Sequence, residues 1–162
     1  MSERTAASPD EDFVHDYLAY LLARASDQIS SEFHNQIRDA GLSFMEWRVM
    51  ASLSPAKTLS IGVLANIVLA QQPTVTKLVA RMAEQGWIHR SNGTEDKRQA
   101  LVSLTTKGRR TAAPLLALAK AHEAKTLAAL APGDAQRLKA VLRQLIATSN
   151  VGISGISRSL NG

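Results

Sequence analysis

A chain of 162 residues, 45% apolar and 20% charged, has the size and balance of one folded unit, which excludes extended disorder. It contains no cysteine, which removes disulfides, thiolate metal sites and thiol redox sensing, and no apolar run approaches a membrane span. The net charge of +5 is uneven: residues 1–40 carry eight acidic and three basic side chains, residues 71–110 eight basic and three acidic.

Residues 1–11 are polar and small and lack an apolar core, so they read as a disordered tail rather than a leader peptide. Without cysteine or a membrane segment, the expected location is the cytoplasm. From Asp12 to Ala40, Phe13, Tyr17, Leu18, Leu21, Leu22, Ile29, Phe33 and Ile37 recur at helical spacing behind an acidic start. That predicts one long helix over residues 12–41, stopped by Gly41. Ser43 and Glu46 form a capping box for a second helix bearing Phe44, Trp47, Val49, Met50 and Leu53, which Ser54 and Pro55 end.

Ser60 begins a short third helix through Ile61, Leu64, Ala65 and Val68, and Gln72-Pro73 opens a fourth with proline in its first turn. After Gly86, Trp87 to Arg90 and Leu101 to Leu104 predict a two-stranded hairpin, with a basic tip from Ser91 to Gln99 and a turn at Asn92-Gly93. Thr105 or Thr106 caps a fifth helix through Ala112 to Leu130, broken at Pro132-Gly133. Asp134 starts a sixth with Leu138, Val141, Leu142, Leu145 and Ile146 on one stripe, and residues 149–162 are a tail mixing glycine and serine with valine and isoleucine.

Two short helices joined tightly make a helix-turn-helix. The fourth helix turns Val75, Leu78, Val79 and Met82 inward and Pro73, Thr74, Lys77, Arg81 and, at its edge, Thr76 outward. That division suits a helix reading base edges and phosphates, with Gln72 at its start, although an ordinary surface helix also has it. The hairpin shifts the balance. Asp96 and Arg98 lie on one side of an extended tip, where the carboxylate can fix the direction of the guanidinium, with Lys97 between them and Arg90 on the first strand. A basic wing directly after a helix-turn-helix points to double-stranded DNA, against the plainer reading of a solvated ion pair.

Dinucleotide, P-loop, zincin and serine-hydrolase motifs are all lacking, and His15, His34, His89 and His122 are scattered, so no catalytic residue, metal or cofactor is expected. The apolar stripes of the first and last helices exceed what a small winged domain can cover, which predicts a homodimer. A winged helix that binds only protein is the alternative.

The run Leu64-Ala65, Pro73 to Val79, Met82, Gly86-Trp87-Ile88, Arg90, Asp96-Lys97-Arg98 and Leu104-Thr105-Thr106-Lys107-Gly108 resembles the MarR family of transcriptional regulators. The resemblance covers residues 12–148; residues 91–95 depart from the commoner wing sequences. It implies a mainly α fold with a small β-hairpin wing. The winged helix-turn-helix would be residues 43–105, flanked by dimerisation helices over 12–41 and 110–148. It further implies a homodimer on a palindromic operator, here expected to be a repressor released by a small molecule. For that effector, an aromatic acid or acyl ester, the candidates are Tyr17, Tyr20, Arg24, Phe44, Trp47 and Arg48; the plainer reading makes the aromatics core and the arginines solvated.

Overall fold

The computed structural model describes residues 9–54, 56–92 and 100–156. Two helices stand where the periodicity predicts one: α1 (Pro9–Asp16) and α2 (Leu18–Asp39). Tyr17 separates them with an extended ψ of 120°, and its ring stacks on Phe13 at 5.5 Å. The apolar spacing runs through this break without a proline or glycine, so periodicity gave no warning of it. Gly41, at φ +75°, closes the far end by donating to the Arg38 carbonyl, a left-handed turn that a side chain would strain.

The next elements follow their local signals. Ser43 caps α3 (Phe44–Leu53), taking the Glu46 N–H on its hydroxyl while its own N–H donates to the Glu46 carboxylate. Ser60 caps α4 (Ile61–Val68), its hydroxyl accepting the Val63 N–H at 3.3 Å. α5 (Gln72–Glu84) begins with Pro73 in its first turn. Strands β2 (Ile88–Asn92) and β3 (Ala100–Leu104) form the antiparallel hairpin, Ile88 opposite Leu104.

The two-stranded prediction needs correction, because β1 (Leu59–Ser60) pairs with β3 and the sheet order is β1-β3-β2. A two-residue strand is too short to show alternation, and Ser60 carries the stronger signal of a helix cap. α6 (Thr106–Leu127) and α7 (Asp134–Ile156) complete the described chain, α7 running past residue 148. Of the two candidate caps for α6, Thr105 is the one used: its hydroxyl accepts the Gly108 N–H at 3.0 Å.

The chain divides into two compact units, Met1–Lys120 and Ala121–Gly162, the boundary falling within α6. The core lies in the first. Ile37 of α2, Met50 and Leu53 of α3, Leu64 and Val68 of α4, Val75, Val79 and Met82 of α5 and Val102 of β3 are fully buried, with Ala112 and Leu115 of α6 closing it. Each face is the apolar stripe that its spacing marks, so burial here follows period and needs no special contact. In the second unit, Lys139 pairs with Glu123 at 2.9 Å.

Leu69, after α4, is the exception to local consistency. It takes the left-handed conformation at φ 58° and is 78% exposed. The Cβ penalty there is not offset by burial, so Leu69→Gly is expected to raise unfolding stability by about 1 kcal/mol in a denaturant titration. A loss of stability would show that the exposed side chain makes a compensating contact.

Candidate nucleic-acid interface

α5 is held by its inner face. Val75, Leu78, Val79 and Met82 are buried, whereas Gln72, Pro73, Thr74, Lys77 and Arg81 are exposed. No acidic side chain occupies its first turn, and Gln71 gives the N-terminus no side-chain cap, so the positive end of the helix faces outward unscreened. Thr76 is half-buried and donates its hydroxyl to the Gln72 carbonyl at 2.8 Å, which engages that proton within the helix.

Exposed Arg90 of β2 joins this surface. With Gln72, Thr76, Ser60 and Ala100 it borders a hollow of about 430 Å³ between the start of the helix and the base of the wing. A second hollow, of about 400 Å³, lies along the same helix between Thr74, Lys77 and Arg81 and the start of α3, at Ser43 and Met45. Asp96, Lys97 and Arg98 lie outside the described residues.

The hairpin is tied to α5 through the chain that follows both. The Thr105 hydroxyl donates to the Gly86 carbonyl at 2.6 Å, and its N–H donates to the Trp87 carbonyl at 3.0 Å. Lys107 donates to the Gln85 carbonyl at 2.8 Å, and Arg109 to the Leu104 carbonyl at 2.7 Å. Exit from α5, entry to β2 and start of α6 thereby share one hydrogen-bonded knot, so the wing base cannot shift against the helix independently.

Arg81 stands apart from the other exposed residues, because its Nη2 meets Glu46 Oε1 at 3.1 Å. Sequence reasoning gave Glu46 a capping role alone; its second oxygen was the unread signal. Burial pushes the Glu46 carboxyl up, but the Ser43 N–H, the Ser43 hydroxyl and Arg81 together outweigh it and hold it below its ordinary 4.5. A depressed folded value stabilises the ionised native state. That contribution is complete above 4.5 and is lost as pH falls through the lower folded value.

The effector candidates divide. The Phe44 ring lies 4.1 Å from that of His34, edge to face, and the Arg48 guanidinium stands 5.6 Å from its centre. Trp47 is buried edge-to-face on Phe33 at 5.4 Å, the core role of the plainer reading. Tyr17 stacks on Phe13, Tyr20 meets His15 edge-on at 5.9 Å, and Arg24 is exposed. Tyr20 precedes His34 on α2 by a span of about 21 Å along the axis, so one chain does not bring the two groups together.

The scattered appearance of the histidines hid His34. Its Nε2 is buried without a hydrogen-bond partner, and with Ser31, Asn35, Arg38, Ser43 and Phe44 it lines a hollow of about 520 Å³. Among the described residues there is no cluster of metal-ligating side chains, and no helix is long and apolar enough to cross a membrane.

Comparison with known proteins gives this surface a context. The model of the MarR family matches residues 42–100. A MarR family transcriptional regulator from Silicibacter pomeroyi DSS-3 is 41% identical with a TM-score of 0.75, over 84% of this chain and 97% of that one. The homoprotocatechuate degradative operon repressor of Escherichia coli is 26% identical over 95 residues, 59% of this chain and 64% of that protein. Bordetella bronchiseptica BpsR, whose DNA binding is regulated by 6-hydroxynicotinic acid, shares the fold at 23% identity and a TM-score of 0.69, over 80% and 93% of the two chains. These relatives are transcriptional regulators rather than enzymes.

Proposed function

The chain belongs to the MarR family of transcriptional regulators, and from that premise we propose that it is a homodimeric repressor of a near-palindromic double-stranded operator. One observation carries the reading: a helix locked inward by four aliphatic or thioether side chains exposes Gln72, Pro73, Thr74 and Lys77, and Gln72 at its start shares a hollow with Arg90 of the wing. Short polar groups can reach base edges there, and cations can reach phosphates on either side.

Selection of bound fragments from genomic DNA, followed by gel shift, tests this. The expected result is a near-palindrome with half-sites about 10 bp apart. Thr74→Ala is expected to relax its sequence preference. No retained fragment would favour the protein-binding alternative.

The effector is assigned to the His34 end of α2. A flat anionic molecule, an aromatic acid or its acyl ester, would lie against Phe44 in the hollow beside His34, with Arg48 and Arg38 near its charge. Within one chain Tyr20 lies about 21 Å along α2 from that seat. Arg48→Ala is expected to abolish release of DNA by such acids while operator affinity without effector stays near wild type. A screen of aromatic acids and thioesters that releases no DNA would remove the effector from the reading.

A further inference from the structure

Glu46 is the one charged side chain that is buried among the described residues. A carboxylate withdrawn from water is tolerated when its lone pairs are engaged, and these are. Oε2 accepts the Ser43 N–H and hydroxyl, each at 2.8 Å, and Oε1 accepts Arg81 Nη2 at 3.1 Å. The link joins the first turn of α3 to the third turn of α5, residues 35 apart in sequence. The Arg81 side chain remains 57% exposed on the same face as Lys77, one turn earlier, which has no carboxylate partner among the described residues.

The aliphatic face of α5 decides which side points inward, but its rotation only to within the width of that stripe, since apolar burial is non-directional. A charge-assisted hydrogen bond has direction. We infer that Arg81 is a positioning residue of the recognition helix: its pair with Glu46 sets the rotation of α5 against α3, while Lys77 supplies the charge that a phosphate meets. Arg81 already donates from Nη2 to Glu46 at 3.1 Å. Moving it to a phosphate would leave a buried carboxylate uncompensated, a larger loss than an exposed phosphate contact returns.

This rests on the DNA-binding reading above. The test therefore uses the full-length chain and operator DNA selected with wild type, and measures affinity across a range of salt. If wild type retains no specific DNA, the reading itself fails. Given wild-type binding, Glu46→Gln and Arg81→Ala are each expected to weaken operator affinity about tenfold, with the double variant no weaker than either single. Neither should change the slope of affinity against salt, whereas Lys77→Ala should lower it by about one ion.

Arg81→Lys, which keeps a cation near Glu46, should recover most of the loss. Glu46→Gln retains an acceptor for the Ser43 N–H and so preserves the cap, which keeps the test valid if Arg81→Ala unfolds. The inference is overturned if Arg81→Ala or Arg81→Lys lowers the salt slope by one. It is equally overturned if Glu46→Gln binds as tightly as wild type or more tightly, since that would mean the carboxylate competes with DNA for the arginine.

Discussion

Gly108→Ala is expected to destabilise the fold by about 3 kcal/mol, against the ordinary rule that alanine in a helix is better than glycine by about 1 kcal/mol. A Cβ at this position would stand 2.1 Å from the Trp87 carbonyl oxygen and 3.0 Å from its carbon, with a Leu104 methyl at 3.2 Å. The first two atoms are backbone, so no rotamer change relieves the clash. The same carbonyl oxygen accepts the Thr105 N–H at 3.0 Å, and the Thr105 hydroxyl holds Gly86 at 2.6 Å. Backing α6 away far enough to admit a methyl group would therefore open the knot that joins the end of α5 to the wing. Urea denaturation checks the stability, and operator affinity below the transition should fall as well, because the wing base shifts against α5. An alanine variant as stable as wild type would mean that the first turn of α6 does not lie this close to Trp87.

The second large effect concerns assembly. Phe13, Tyr17, Leu18, Leu21, Leu22 and Ile29 of the N-terminal helices are each at least 40% exposed, and Leu138, Val141 and Ile146 of α7 are exposed in the same way. Such stripes on a single chain require a cover, and a second copy of the same surface is the economical one. The double variant Leu18→Glu, Leu21→Glu is expected to convert the protein to a species of 17.5 kDa in light scattering at micromolar concentration. Operator affinity should fall about 100-fold or more, since two linked half-site contacts become one. These side chains are exposed in the single chain, so its core residues lose no contact and helical content should persist. A wild-type monomer under those conditions, or a variant that binds the operator as wild type does, would dismiss the dimer.

The amino-acid sequence by itself determined the elements whose signals lie within about four residues. Ser43 with Glu46, Ser60 and Pro73 mark helix starts because a capping hydroxyl or a fixed φ acts on the adjacent turn. The inner face of α5 was equally legible, since Val75, Leu78, Val79 and Met82 carry the period of a helix with one side buried. Its outer face followed, and with it the candidate contacts Gln72, Thr74 and Lys77.

Periodicity reports that a face is buried and is silent on what buries it. Tertiary structure alone therefore decided that Leu59–Ser60 joins the sheet, that Thr105 rather than Thr106 caps α6, and that Gly108 is a glycine because Trp87 lies against it. It also decided that Arg81 answers to Glu46, and that Phe44 of α3 packs on His34, far along α2 from Tyr20. Most of these are pairings between segments remote in the chain, set by the docking of whole elements. For those, no window of local spacing contains both partners.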